Sequence, residues 1–186
     1  FRGIQFGNSE FADIDNDGDL DLLITGSDNA PNRYADLYFN DGIGNFTLDT
    51  DAGLQGQSSG DFAFEDIDND GDLDLLMTGV IDIPFGSPQS PQQITLYLND
   101  GSGNFLDSNE SFEALKGSSI AFFDMENDGD KDVIIAGEDI NGNRITNLYA
   151  NNSNGNFSLV SNANFTGVFV GDIAVSDTDN DGDICL

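Results

Sequence analysis

The chain of 186 residues contains no histidine, no tryptophan and a single cysteine, Cys185. Without histidine, the Ser-His-Asp and Cys-His pairings and His-ligated zinc are excluded. One cysteine excludes an internal disulfide framework. Bases are nearly as scarce: five Lys and Arg stand against 35 Asp and Glu, a formal net charge of −30. That sign is wrong for a nucleic-acid surface, so no nucleic-acid partner is expected. No apolar run approaches the roughly 20 residues of a membrane-spanning helix, so membrane insertion is not expected either. No secretory signal is visible, and the chain opens on Phe1 rather than Met, which reads as a mature product or a fragment.

High net charge with low hydrophobicity would suggest disorder. Here 38% of residues are hydrophobic, fifteen of them Phe, and the acids are clustered between apolar runs. That pattern reads as a folded chain in need of a counter-charge.

The clusters recur. DIDNDGDLDLLITG begins at Asp13, DIDNDGDLDLLMTG at Asp66, DMENDGDKDVIIAG at Asp124 and DTDNDGDICL at Asp177, at spacings of 53, 58 and 53 residues. A second landmark keeps step: YFNDGIGNF from Tyr38, YLNDGSGNF from Tyr97 and YANNSNGNF from Tyr149. Two landmarks in phase make an internal repeat, and a period of this size implies a solenoid, a propeller or an array. The repeats fall at about 1–53, 54–111, 112–164 and a partial 165–186, within a single domain.

Each repeat reads as four short strands. Apolar residues alternate before the acidic loop, as in Phe62/Phe64, Ile120/Phe122 and Ile173/Val175. Buried-looking strands follow it over Leu20–Thr25, Leu73–Thr78 and Lys131–Ala136, and Gly26, Gly79 and Gly137 are expected to end them. A third strand is expected to end at Tyr38, Tyr97 and Tyr149, and a fourth to begin at Phe46, Phe105 and Phe157 after an Asn/Asp/Gly-rich turn. Ser111–Lys116 is the only short helix candidate. Four antiparallel strands per repeat is the build of a propeller blade. The fold class is therefore all-β, a β-propeller of about three blades with the start of a fourth. The remaining blades are expected to be missing or supplied by other chains, and the sequence is expected to stop inside a blade.

In the first loop, carboxylates stand at positions 1, 3, 5, 7 and 9 around Gly18 at position 6. Alternating carboxylates around a glycine turn can converge on one point. Ca²⁺ takes six to eight oxygens in irregular geometry, Mg²⁺ demands a stricter octahedron, and soft metals want His or Cys. Ca²⁺ is the expected cofactor. Side chains at positions 1, 3, 5 and 9 are expected to ligate; position 7 is expected to offer its carbonyl and leave its side chain to the solvent. An EF-hand would need a bidentate Glu at position 12 and flanking helices; position 12 is Ile24, Met77 and Ile135.

DxDxDGxxD between two strands, repeated with the NDGxGNF companion, resembles the FG-GAP/VCBS repeats of integrin α-subunit-like β-propellers. The resemblance spans essentially the whole chain. It implies a propeller with calcium in the loop joining the first two strands of a blade, an extracellular or cell-surface setting, and a role in adhesion or ligand binding. Carried over, the first metal site is Asp13, Asp15, Asp17, Asp19 and Asp21. The second is Asp66, Asp68, Asp70, Asp72 and Asp74. The third is Asp124, Glu126, Asp128, Asp130 and Asp132, with Glu126 one methylene longer. The fourth has Asp177, Asp179, Asp181 and Asp183, but its ninth position is Cys185, a poor calcium ligand. Nineteen of the 35 acids lie in these loops. Without cations they would repel, raise their pKa values and open the loops.

The acidic loops and the Asn/Gly turns are expected on one face of the disc. The other face carries the variable connections 27–35, 80–93 and 138–144, the expected seat of recognition. Arg33 and Arg144 stand alike, five residues before the repeat's Tyr, and are candidate ligand contacts. Local ion pairing with Asp36 or Glu138, or a repeated surface residue, is the plainer reading. Tyr38, Tyr97 and Tyr149 read as packing residues. The leading function is a non-catalytic, calcium-stabilised module binding a protein or polysaccharide. The alternatives are a carbohydrate-active enzyme, which would place catalytic acids outside the repeated loops, and an assembly element that self-associates through open blade edges.

Overall fold

The computed structural model describes residues 1–28, 32–81 and 91–176. The described residues are all-β, with antiparallel pairing throughout. Blade one comprises β1 (Ser9–Ala12), β2 (Asp21–Ser27), β3 (Arg33–Asn40) and β4 (Phe46–Asp49). A two-residue strand, β5 (Gln57–Ser58), precedes blade two: β6 (Phe62–Glu65), β7 (Asp74–Ile81), β8 (Gln92–Asn99) and β9 (Phe105–Asp107). Blade three is β10 (Lys116–Phe123), β11 (Asp132–Glu138), β12 (Arg144–Asn151) and β13 (Phe157–Leu159). Strands pair in chain order within each blade, the four-stranded build of a partial propeller.

Why the second strand of each blade is continuously apolar follows from its two faces. Successive side chains in a strand point to opposite sides. Leu75 and Met77 join a core shared with Leu23 and Leu37 of blade one. Leu76, between them, joins a second core with Val133 and Ile135 of blade three. Ile134 then enters a third core, with Phe123 and Leu148, covered by Phe165, Ile173 and Val175. Blade two is thus buried on both faces, by blade one and by blade three. A solvated face would have forced polar residues at every second position.

The blades are also tied near the start of their first strands. Ser59 donates its N–H to Phe6 O at 2.8 Å, Gly117 to Ser59 O at 2.7 Å and Val170 to Gly117 O at 3.1 Å. All four residues have φ between 53° and 56°. They recur at the repeat spacing, so one left-handed backbone position, strained at all but Gly117, makes three successive links. β5 adds a further tie, pairing Gln57 with both Tyr34 and Ile81.

Several boundaries differ from the sequence reading. Gly26 and Gly79 do not end their strands: β2 runs to Ser27 and β7 to Ile81. Both have φ near 147° and lie against neighbouring chain; a Cβ on Gly79 would sit 2.7 Å from Ser58 O. They are glycine because chain ahead of the blade's first strand, residues 4–7 at Gly26 and 58–60 at Gly79, crosses them closely. Gly137 likewise lies inside β11. The third strands run two residues past each Tyr, to Asn40, Asn99 and Asn151. The short helix candidate at Ser111–Lys116 does not form a helix. Residues 111–115 are irregular and Lys116 opens β10, because Phe112 and Leu115 are drawn into the second core. Ile173 and Val175 pack on blade three without forming a strand.

Candidate metal centre

Each of the three described acidic loops joins the first two strands of a blade and starts from the same local chemistry. The residue at position 4 has a left-handed backbone: Asn16, Asn69 and Asn127 have φ of 58°, 61° and 55°. Asn tolerates that region better than most residues. Position 6 is glycine, with φ of 92° to 95° at Gly18, Gly71 and Gly129. The loop folds back on its first carboxylate. Gly18 N donates to Asp13 Oδ2 at 3.2 Å, Gly71 N to Asp66 Oδ2 at 3.1 Å and Gly129 N to Asp124 Oδ2 at 2.9 Å. Position 5 then accepts from position 7: Asp19 N reaches Asp17 Oδ1 at 2.9 Å, and Asp72 and Asp130 repeat the bond at 3.0 Å.

Position 9 fastens the loop to the blade. Asp21, Asp74 and Asp132 are essentially fully buried. Each accepts one N–H from position 2 of its own loop and one from the end of the third strand. Asp74 takes Ile67 N at 3.0 Å and Asn99 N at 2.9 Å. Asp21 takes Ile14 N and Asn40 N, and Asp132 takes Met125 N and Asn151 N. A carboxylate has about four acceptor sites, so lone pairs remain for a cation.

Carboxylate oxygens of Asp13, Asp15 and Asp17 lie within 4.8 Å of one another in loop one; those of Asp66, Asp68 and Asp74 do so in loop two. Asp13 Oδ1 and Asp68 Oδ1 are buried with no hydrogen-bond partner. A buried carboxylate oxygen without a donor is costly, and a cation would satisfy it. The residues present therefore fit a hard divalent ion held by oxygen. Asp13, Asp15, Asp17 and Asp21 would hold it in loop one; Asp66, Asp68, Asp70 and Asp74 would in loop two. The ion would supply the positive charge on which these side chains converge.

The electrostatics agree. Burial, then the Asp17 charge, pushes the Asp15 carboxyl up, and burial followed by the Asp70 charge does the same to Asp68. Burial raises Asp21 and drives Asp74 up to about 6. In loop three, burial and then the Asp132 charge raise Glu126. Among the described residues, loop three does not gather three carboxylates as loops one and two do.

Position 7 departs from the sequence reading. Its side chain is not left to the solvent. Asp72 Oδ1 accepts the Asn16 amide of the preceding loop at 2.7 Å, and Asp130 Oδ1 accepts the Asn69 amide at 3.0 Å. Asp130 is buried and also bonded by Ser153 Oγ. Asp19 packs over the Asn/Gly turn, where a Cβ on Gly42 would lie 2.3 Å from its Oδ2. These carboxylates join the acidic loops to the turns and to the neighbouring blade. The expected shared face for loops and turns is thereby observed.

Of the plainer reading, the surface placement holds for Arg144, while Asp36 and Glu138 are paired with other bases. Asp36 takes Arg2 at 2.9 Å, and Glu138 takes Lys116 at 3.0 Å. Arg33 donates to Ser58 Oγ at 3.1 Å, while Arg144 is exposed at the start of β12. Tyr38, Tyr97 and Tyr149 are buried; Tyr97 Oη accepts Gln55 N and Tyr149 Oη accepts Glu113 N. Asp177, Asp179, Asp181, Asp183 and Cys185 lie outside the described residues, as do most of the 80–93 connection and part of 27–35.

Asn99 and Asn151 also serve the acidic loops, beyond the residues expected from sequence. Asn99 Nδ2 donates to Ile14 O and Asn151 Nδ2 to Ile67 O, both at 2.8 Å. Each reaches from the end of a third strand into the acidic loop of the preceding blade. Their signal was the fixed Asn two residues after each repeated Tyr.

A model of the FG-GAP-like repeat family matches residues 13–77 and 78–135. No curated protein and no solved structure matches the chain. The matched segments cover well over half of the sequence and contain three of the four acidic loops, so this chain belongs to the FG-GAP-like repeat family.

Proposed function

We propose that this chain is a non-catalytic, calcium-stabilised propeller module of a secreted or cell-surface protein, whose variable loops bind a protein or polysaccharide. The observation that carries the calcium part is the pair of buried, donorless oxygens on Asp13 and Asp68, each inside a cluster of converging carboxylates. FG-GAP-like repeats are typical of extracellular proteins and are in general structural or adhesive rather than enzymatic. No helix among the described residues is long and apolar enough to cross a membrane. Extracellular calcium is about millimolar, enough to fill even weak extracellular-type sites.

The role assigned to the ion is structural. It removes repulsion among carboxylates that burial already penalises, and it fixes the loop that connects the first two strands. Recognition is assigned to the opposite face, where Arg144 stands exposed at the 138–144 connection. EDTA is expected to lower the melting temperature by roughly 10 °C or more, since a ligand at a thousand times its Kd contributes about 4 kcal/mol. Restored calcium should return it. A melt unchanged by EDTA, after calcium has been shown by mass analysis to be removed, overturns the calcium role.

A further inference from the structure

Among the described residues, two hydrogen bonds join each of the first two acidic loops to the blade that follows, and both recur. From the earlier loop, the position 4 amide reaches forward: Asn16 to Asp72 Oδ1 at 2.7 Å, Asn69 to Asp130 Oδ1 at 3.0 Å. From the later blade, an Asn reaches back: Asn99 to Ile14 O and Asn151 to Ile67 O, both at 2.8 Å. The two asparagines at each junction are fixed to opposite loops. Asn16 lies between Asp15 and Asp17 of loop one, with its backbone held left-handed. Asn99 donates its own N–H to Asp74, the ninth position of loop two.

From this arrangement we infer that Asn16, Asn69, Asn99 and Asn151 are positioning residues that couple calcium binding between adjacent blades, so that the ion in one loop strengthens binding in the next. The inference rests on the calcium reading above. An ion in loop two fixes the backbone around Asp72 and hence the carboxylate that holds Asn16. Asn16 in turn fixes the stretch between Asp15 and Asp17, where loop one must converge. Asn99 carries the same constraint through Asp74 to the carbonyl of Ile14. Ordering one loop therefore leaves less conformational freedom for its neighbour to lose on binding, which is positive coupling. Nothing passes between the ions themselves.

The test uses ¹⁵N-labelled full chain titrated with Ca²⁺. The amides of Gly18, Gly71 and Gly129 bond to the first carboxylate of their own loops, so each resonance reports one site. Loop one is disabled by Asp13→Asn with Asp15→Asn, and loop two is read at Gly71. Its affinity is expected to fall about five- to tenfold, the lower part of the usual range for coupled sites. In the Asn16→Gly background, which keeps the left-handed backbone and removes the amide, the same disabling should cost about threefold or less. Asp72→Asn, which retains an acceptor, should preserve the coupling, whereas Asp72→Ala should reduce it as Asn16→Gly does. Loop-two affinity indifferent to loop one, or a penalty unchanged by Asn16→Gly, overturns the coupling. Absence of any calcium response at the three glycines overturns the calcium reading instead.

Discussion

Loops two and three share a motif and a backbone. Both turn at glycine, both return a backbone N–H to the first carboxylate, and both bury the ninth aspartate against two further N–H groups. They differ in what their side chains do. Loop two gathers Asp66, Asp68 and Asp74 and leaves Asp68 Oδ1 without a donor. Loop three has Glu126 in place of Asp68, and burial and the Asp132 charge raise its carboxyl. The backbone of such a loop is therefore built by the first and ninth carboxylates, the glycine and the asparagine. Convergence on an ion depends on the third-position side chain as well, where one methylene redirects a carboxylate.

The largest expected effect tests what the two loops share. Asp74→Ala and Asp132→Ala each strip two N–H groups of their acceptor at a buried site. Each should cost about 2–6 kcal/mol, from about 1–3 kcal/mol per unsatisfied buried group, read by urea unfolding in EDTA. Equal losses with no metal present would confirm that the ninth position is a structural staple in both loops. A loss seen only with calcium would make it a ligand first.

A smaller effect tests what separates them. Glu126→Asp should tighten loop three and Asp68→Glu should weaken loop two, each by about tenfold, or ~1.4 kcal/mol. Site-resolved calcium titration measures both. If the exchange leaves both affinities unchanged, the third-position side chain is not what separates the loops.

A third effect, confined to one group, is a pH dependence of the metal-free protein. Asp74 sits at about 6 in the folded chain against its ordinary 3.8. Between those values the folded state holds a proton that the unfolded state has lost, so stability falls as pH rises through that window. In EDTA the protein should melt higher at pH 4.5 than at pH 7 as far as this group governs it. Calcium binding, which needs the ionised form, should strengthen over the same range. Asp74→Asn should flatten this part of the profile. The Asp132→Asn variant serves as the comparison in loop three.

Much of this was legible in the sequence because the repeat carries its signals locally. A glycine flanked by alternating aspartates specifies a turn whatever surrounds it. An apolar run of period two on both faces specifies a strand between two neighbours. The missed features depend on residues distant in sequence. Gly79 looks like a strand end until the crossing of Ser58 is seen. Phe112 and Leu115 look helical in spacing until the second core claims them. Gln57 shows the reverse: it stands at the repeat position of the buried Leu115, and both of its amide atoms are buried without a partner. No local pattern marks that mismatch.

The sequence by itself determined the repeat, the four strands of each blade and the carboxylates able to face a cation, since these follow from spacing and side-chain chemistry within a few residues. Only the tertiary structure decided which oxygens remain unsatisfied, that the seventh-position carboxylate serves the neighbouring blade, and that asparagines bind one acidic loop to the next. Those outcomes depend on groups about 56 to 85 residues apart in the chain, brought together when one blade packs on another. Hydrogen bonds act over about 3 Å, so packing alone fixes them.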